Sequence, residues 1–291
     1  MQVPAPFDYK RASTLAEAIA LLRECGPDSR VIAGGHSLLP MMKLRLARPE
    51  VLIDINHLGE LDYIKVDGNT LKIGAMVRHV TLQKSHLAAE YYPIFAEAEE
   101  QIADPLVRNR GTVGGSLCQA DPAEDLSAVF SALKADIIIA GGSGTRRLPI
   151  SEFHTGPYTT ALNPDEILTE IDVPLRSNTG SAYEKVERRV GDWAIAAVGT
   201  MVRVDDGLIS EAGIGLTAVR ADHFRAKEAE DSLLGRSPST EAIVEAASLA
   251  ARHCNPFADQ RGPEDYKRHL VEELTKRALS RALNRSLPEV H

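Results

Sequence analysis

The stretch Arg30-Val31-Ile32-Ala33-Gly34-Gly35-His36-Ser37-Leu38-Leu39-Pro40 decides how the chain is read. An apolar run enters it and two adjacent glycines break that run. A second stretch, Gly111-Thr112-Val113-Gly114-Gly115-Ser116-Leu117, repeats the pattern, a Gly-Gly with a hydroxyl residue close by. Where no Cβ stands in the way, backbone N–H groups can come close to a phosphate. Two such turns facing each other would hold a diphosphate, so the first expectation is a phosphate-bearing cofactor between them.

The commoner nucleotide motifs are absent. Neither stretch is a G-x-G-x-x-G fingerprint between strand and helix, and no G-x-x-x-x-G-K-[ST] loop occurs. Gly142-Ser143-Gly144 and Gly213-Ile214-Gly215 are fragments that read as ordinary turns.

The 291 residues suit about two domains. With 44% hydrophobic and 25% charged residues the balance is globular. A formal net charge of −8 and the lack of a basic run exclude a general nucleic-acid surface. In so acidic a chain a diphosphate must rely on backbone N–H groups more than on a lysine cluster. Cys25, Cys118 and Cys254 form no C-x-x-C, so neither a zinc site nor an iron–sulfur cluster can be built from this chain alone. They read as free thiols in a reducing compartment. Met1–Pro6 lacks the charged start and apolar core of a signal peptide, and no apolar run nears the roughly 20 residues of a membrane span. The expectation is a cytoplasmic protein with no membrane span.

Taken in order, Ser13 reads as the cap of a helix over 14–24, and strands are expected at 31–33 and 51–55. These make a small β-α-β unit. Asp67-Gly68-Asn69 joins a hairpin of 63–66 and 70–73. Helices are expected near 81–88 and 92–102, then the second glycine turn at 111–116, then a helix starting near Pro122. Strands follow at 136–140, 145–150 and 167–173. Residues 175–181 read as a linker. Beyond it lie a three-stranded meander (183–188, 194–204, 208–216) and helices over 226–234, 240–254 and 263–283. The fold class is α+β. A domain of residues 1–177, with subdomains of about 1–57 and 58–177, precedes one of residues 178–291.

Ala33-Gly34-Gly35-His36-Ser37-Leu38-Leu39-Pro40-Met41-Met42-Lys43-Leu44-Arg45 and Thr112-Val113-Gly114-Gly115-Ser116 resemble the two flavin motifs of the FAD-binding medium subunits of molybdenum hydroxylases, the carbon monoxide and xanthine dehydrogenase type. The resemblance extends to Asp121-Pro122-Ala123-Glu124-Asp125, Asp165-Glu166-Ile167-Leu168, Tyr183-Glu184-Lys185, Arg188-Arg189 and Gly191-Asp192-Trp193-Ala194. It runs nearly end to end, and the length is closest to the separate medium subunit of carbon monoxide dehydrogenase.

The resemblance implies a two-subdomain FAD fold of the vanillyl-alcohol oxidase and cell-wall reductase type, with a C-terminal domain of antiparallel sheet and helices. It implies that Val31, Ile32, Ala33, Gly34, Gly35, His36, Ser37 and Leu38 form one loop against the FAD diphosphate. Thr112, Val113, Gly114, Gly115 and Ser116 would form the other. Asp125 would hold a sugar-chain hydroxyl, Ile102 would pack on the isoalloxazine ring, Leu168 would lie by the adenine, and Lys185 would reach the flavin. Trp193 would shield a ring face. From the residues alone, Asp125 reads equally as a helix first-turn carboxylate, Lys185 as a solvated strand lysine and Trp193 as core. His36 either donates to phosphate or packs. Arg108 and Arg110 face phosphate, a partner or solvent.

The implied activity is oxidoreductase. Electrons would come from [2Fe–2S] clusters of a small iron–sulfur subunit, pass through FAD here and leave to an external acceptor. Substrate would react at the molybdenum cofactor of a large subunit, the whole forming a dimer of heterotrimers. No acid–base catalytic set and no metal site are expected on this chain. A self-contained flavin oxidase of the same superfamily would want a larger capping domain than the roughly 115 residues after the linker. A scaffold subunit without flavin would not need intact glycine loops.

Overall fold

The computed structural model describes residues 3–220 and 224–286; Met1 and Gln2, where the signal-peptide reading begins, lie outside the described residues. The chain opens with a three-stranded parallel sheet in the order β1-β3-β2: β1 (Asp8–Arg11), β2 (Ser29–Ile32) and β3 (Val51–Asp54). Helix α1 (Leu15–Cys25) crosses from β1 to β2, burying Ala18 and Leu22. Its cap is Thr14, not Ser13: the Thr14 hydroxyl accepts from Glu17 N, while Ser13 N donates back to the Glu17 carboxylate at 2.8 Å. The polar, largely exposed edge strand β1 carries no alternation that would reveal it in sequence. A short helix α2 (Leu38–Lys43) follows the first glycine stretch.

The second layer is a five-stranded antiparallel sheet in the order β4-β5-β10-β6-β7. Its strands are β4 (Ile64–Asp67), β5 (Thr70–Gly74), β6 (Asp136–Gly141), β7 (Gly144–Pro149) and β10 (Ile167–Pro174). Between β5 and β6 the chain makes α3 (His79–Gln83), α4 (His86–Tyr91), α5 (Ile94–Gln101), α6 (Pro105–Arg110), α7 (Val113–Gln119) and α8 (Asp125–Ala132). The single helix expected near 81–88 is two, because Ser85 caps a second one by accepting from Ala88 N. Asp104-Pro105 starts α6 as an N-cap followed by a proline, a signal present in the sequence and not used. The second glycine stretch is not a turn. Thr112 caps α7 and Gly114 and Gly115 lie in its first turn. After β7 come α9 (Ile150–Phe153) and a small hairpin of β8 (His154–Gly156) and β9 (Thr159–Thr160).

The third layer is an antiparallel meander, β11 (Thr179–Glu187), β12 (Ala194–Asp205) and β13 (Leu208–Thr217), with α10 (Lys227–Leu233), α11 (Thr240–His253) and α12 (Glu264–Ser286). The expected linker is shorter than 175–181, since β11 begins at Thr179. Asp206 and Gly207, at φ 51° and 76°, form the two-residue turn joining β12 to β13.

Helix α8 holds the second and third layers together. All eight of its residues are buried. Gly213 and Gly215 are not turns but mid-strand positions of β13, and a Cβ at either would collide with the carbonyl oxygens of Ala132 and Ala128. Helix α5 packs on the same face as α8, and its Glu97 accepts from Arg285 of α12 at 2.6 Å, from Arg281, and from the backbone N–H of Tyr183 at 2.8 Å. Gly215→Ala forces α8 off the sheet and lowers the unfolding free energy by about 1–3 kcal/mol. A denaturant titration measures it, and an unchanged midpoint would refute this account of the packing.

Candidate cofactor-binding site

The two glycine stretches meet at Gly34. This residue is buried, and a Cβ on it would collide with the carbonyl oxygen of Arg110 and lie 2.7 Å from the Gly111 Cα. Only hydrogen fits there. Gly35 does a different job: its φ of +76° turns the chain from β2 toward α2, a conformation other residues adopt only with strain. Behind Gly111 stands the ring of His79, 2.8 Å from where a Cβ would be, with His79 Nδ1 3.0 Å from the buried Glu99 carboxylate.

The two stretches differ in what they offer a ligand. Among the described residues, the backbone N–H groups of Gly34, Gly35, His36, Ser37 and Leu38 donate to no protein acceptor; the first bond of the following segment is Leu39 N to Gly35 O at 2.9 Å. Gly34 is buried and Gly35 and Leu38 are half-buried, and open donors there are costly unless something else accepts from them, whereas His36 and Ser37 are exposed to water. In the second stretch the corresponding groups are occupied. Val113 N donates to Val77 O and Gly114 N to Ala75 O, both at 2.9 Å; Gly115 N donates to Thr112 Oγ1 at 3.1 Å and Ser116 N to Thr112 O at 3.0 Å. Its glycines let α7 settle on Ala75, whose Cβ a Gly114 side chain would strike. So the first stretch brings donors, and the second brings a close wall. His36 is exposed, its Nδ1 3.0 Å from Gly34 O.

A second group of expected residues gathers where β11 meets α8. Lys185, 1% exposed, is not solvated. Its ammonium lies 3.1 Å from Asp125 and 3.4 Å from Glu187, and donates to Gln101 O at 3.0 Å. Tyr183 Oη donates to Asp125 Oδ1 at 2.5 Å, the same oxygen that the ammonium approaches at 3.1 Å. Asp125 is 6% exposed. Burial pushes its pKa up, against the pull of Lys185 and Tyr183. Gln101 precedes Ile102, which is buried at the end of α5. Ala103 follows, and its carbonyl accepts from Arg108 at 2.9 Å. The loop 188–193 leans on this same point: a Cβ at Gly191 would sit 2.7 Å from Ala103 O. Trp193, at 45% exposure, is no core residue. Leu168 lies within β10, 3% exposed, in the same hydrophobic core as Ile102, Val113 and Tyr183.

Sequence reasoning missed three features. Asn56 and Arg78 connect the two stretches. Glu124, the residue before Asp125, caps α8 and accepts from Ser116 Oγ at 2.7 Å, tying the second stretch to that helix. Burial raises the Glu124 pKa to about 7. The third is a cavity of about 940 Å³ between the β8–β9 hairpin and the C-terminal domain, bordered by Tyr158, Ala194, Phe224, Phe257, Arg261 and Lys267. None of the expected site residues lines it, and its walls come from segments too distant in sequence to show a local signal.

A row of open donors set against a glycine-walled backbone is a site for a phosphate-bearing ligand, the class of protein being that of a nucleotide-cofactor binder. Comparisons with known proteins agree. Residues 5–176 match the FAD binding domain in molybdopterin dehydrogenase, and residues 181–282 match the CO dehydrogenase flavoprotein C-terminal domain. The chain is 42% identical to the carbon monoxide dehydrogenase medium chain of Hydrogenophaga pseudoflava, covering 96% of this chain and 98% of that one. It is 37% identical to the glyceraldehyde dehydrogenase medium chain of Sulfolobus acidocaldarius, covering 94% and 98%. The solved structure of the Hydrogenophaga carbon monoxide dehydrogenase aligns with a TM-score of 0.93 over 97% of this chain and 99% of that one, at 44% identity. The chain therefore belongs to the FAD-binding medium subunits of the molybdenum hydroxylase family, nearer the carbon monoxide dehydrogenase type, and is an oxidoreductase subunit.

Glu124 carries a pH prediction. Its proton is held to about pH 7 in the folded chain, against an ordinary value of 4.5. Between those values the unfolded state has lost a proton that the folded state keeps, so this group's contribution to stability falls as pH rises through the window. Glu124→Gln flattens that part of the stability profile, measured by urea unfolding at pH 5, 6, 7 and 8. A profile that keeps the wild-type slope refutes the assignment. Lys185→Met leaves Asp125 buried without its cation and costs about 3–5 kcal/mol in the same assay.

Proposed function

We propose that this chain is the electron-output subunit of a molybdenum hydroxylase, standing between [2Fe–2S] clusters on a small iron–sulfur subunit and an external acceptor. A large subunit with the molybdenum cofactor would oxidise the substrate, in a cytoplasmic dimer of heterotrimers. The observation that carries this reading is the row of open N–H groups from Gly34 to Leu38 set against the Arg110–Gly111 backbone. A diphosphate has the acceptors those donors lack, so the residues present fit FAD. Bound FAD would supply a junction between one-electron clusters and a two-electron acceptor.

The chain's own residues bind and orient. Val31, Ile32 and Ala33 lead the strand into the donor row. Thr112, through its capping hydroxyl, and Val113 to Ser116 wall the opposite side. Asp125 has acceptor capacity left for a sugar-chain hydroxyl beside its Tyr183 and Lys185 bonds. Lys185 fixes a positive charge next to Ile102, the aliphatic platform for the ring, and Trp193 covers from the loop anchored at Gly191. Leu168 backs the adenine side from within β10. The cavity that begins at Ala194, one residue past Trp193, gives an external acceptor a route to the same region. The division near residue 177 separates the FAD-holding part from its cover.

The purified chain, mixed with FAD and desalted, should show flavin absorption that acid precipitation releases. No uptake refutes the reading. Reduction of the bound flavin by a small alcohol without partner subunits would favour the self-contained oxidase. Gly34→Ala, by driving the Arg110 carbonyl away, should leave a folded chain with less than about a tenth of the wild-type FAD content, a loss of more than roughly 1.4 kcal/mol of binding.

A further inference from the structure

Arg78 sits at the junction of the two glycine stretches, and the sequence does not single it out. Its guanidinium Nη2 donates to Asn56 Oδ1 at 2.9 Å, and Nη1 donates to the carbonyl of Arg110, the residue before Gly111. Asn56 in turn donates through Nδ2 to the Ala33 carbonyl at 2.6 Å and to Asp54 Oδ1 at 2.7 Å. The amide can point only one way. A guanidinium has no acceptor, so Oδ1 must face Arg78, and a carbonyl and a carboxylate have no donor, so Nδ2 must face them. The result is an unbroken chain of hydrogen bonds from Ala33, just before Gly34, to Arg110, just before Gly111. It joins the first subdomain to the second at the gap where the donor row lies.

The charge here is as telling as the bonds. Arg78 is half-buried, and no carboxylate pairs with it or with Arg110 among the described residues. Burial, then repulsion from Arg110, pushes its pKa below the ordinary arginine value. Asp62 and Asp54 act on it only through space. Arg110 is exposed to solvent, so the charge held between the two stretches is that of Arg78, which Asp62 and Asp54 attract without forming an ion pair. Only two of the five Arg78 donors carry these bonds, leaving others for an anion.

We propose that Arg78, held by Asn56, is a cofactor-positioning residue. It sets the distance between the two glycine stretches and supplies the cation that neutralises the FAD diphosphate. This rests on the FAD reading above and adds to it the residue pair that gauges the site. The role needs no contact with the flavin ring, so it concerns affinity and not electron transfer.

The test uses the full-length chain stripped of FAD, with the FAD Kd followed by flavin fluorescence over a series of salt concentrations and the Tm of the apoprotein recorded alongside. Arg78→Gln should raise Kd about a hundredfold and flatten its dependence on salt, because a charge–charge attraction screened by ions is gone. Asn56→Ala should raise Kd about tenfold with the wild-type salt slope, because the bridge is lost and the charge is kept. Arg78→Lys should restore the slope but not the affinity, since an ammonium cannot reach both oxygens in the guanidinium's fixed fork. A merely structural arginine would lower the apoprotein Tm and leave the salt slope as in the wild type, and that result overturns the proposal. So does a Kd within twofold of wild type in Arg78→Lys, the variant that decides if Arg78→Gln does not fold. A wild-type chain that takes up no FAD overturns the FAD reading itself, whereas wild-type uptake with indifferent variants overturns only the role of Arg78.

Discussion

Two backbones touch at Gly34, and the site depends on that contact. The loop after a parallel strand rests on the carbonyl of a residue some 76 positions later, with no side chain between them. The approach leaves five consecutive N–H groups without an internal acceptor among the described residues, three of them on buried or half-buried residues where an external acceptor is favoured. The helix that walls the opposite side has used its own N–H groups on Val77, Ala75 and Thr112. The two Gly-Gly stretches look alike in sequence and do different physical work. One opens donors, and the other lets a helix come close.

The surrounding structure holds that gap at a fixed width. Asn56 and Arg78 bridge it directly. Ser116 and Glu124 tie the second stretch to α8, and α8 is pressed against the meander at Gly213 and Gly215. Beyond α8, Asp125, Tyr183 and Lys185 join the second layer to the third through buried, charge-assisted bonds. Such a cluster is costly to break, because losing one partner strands the others without water. The ion pairs of Glu97 with Arg281 and Arg285 extend the same tie to the final helix. The two glycine stretches, the central helix and the third layer are thus joined by a continuous set of contacts.

Much of this was legible in the residues. The hairpin at Gly68, the meander with its Asp206-Gly207 turn and the three final helices stand out by periodicity and turn chemistry. The wider pattern around the glycine pairs marked the family. Other features were not legible for identifiable reasons. β1 is an edge strand whose polar residues show no alternation. Gly213 and Gly215 read as turn residues because nothing local reveals that a helix will lie across them. Lys185 and Trp193 exchanged their expected surroundings, the lysine buried by Asp125 and Glu187, the tryptophan left half-open on a loop.

The sequence by itself determined the class of the protein and where its chain would bend, since hydrophobic period, caps and glycines act over a few residues. It also determined the absence of a cysteine cluster that could hold iron on this chain. Only the tertiary structure decided which donors stay open, which carboxylates lose their water, and that Arg78 and Asn56 stand between the two stretches. Those properties depend on what approaches from far along the chain. Hydrogen bonding and burial are set by that approach, and no window of neighbouring residues contains it.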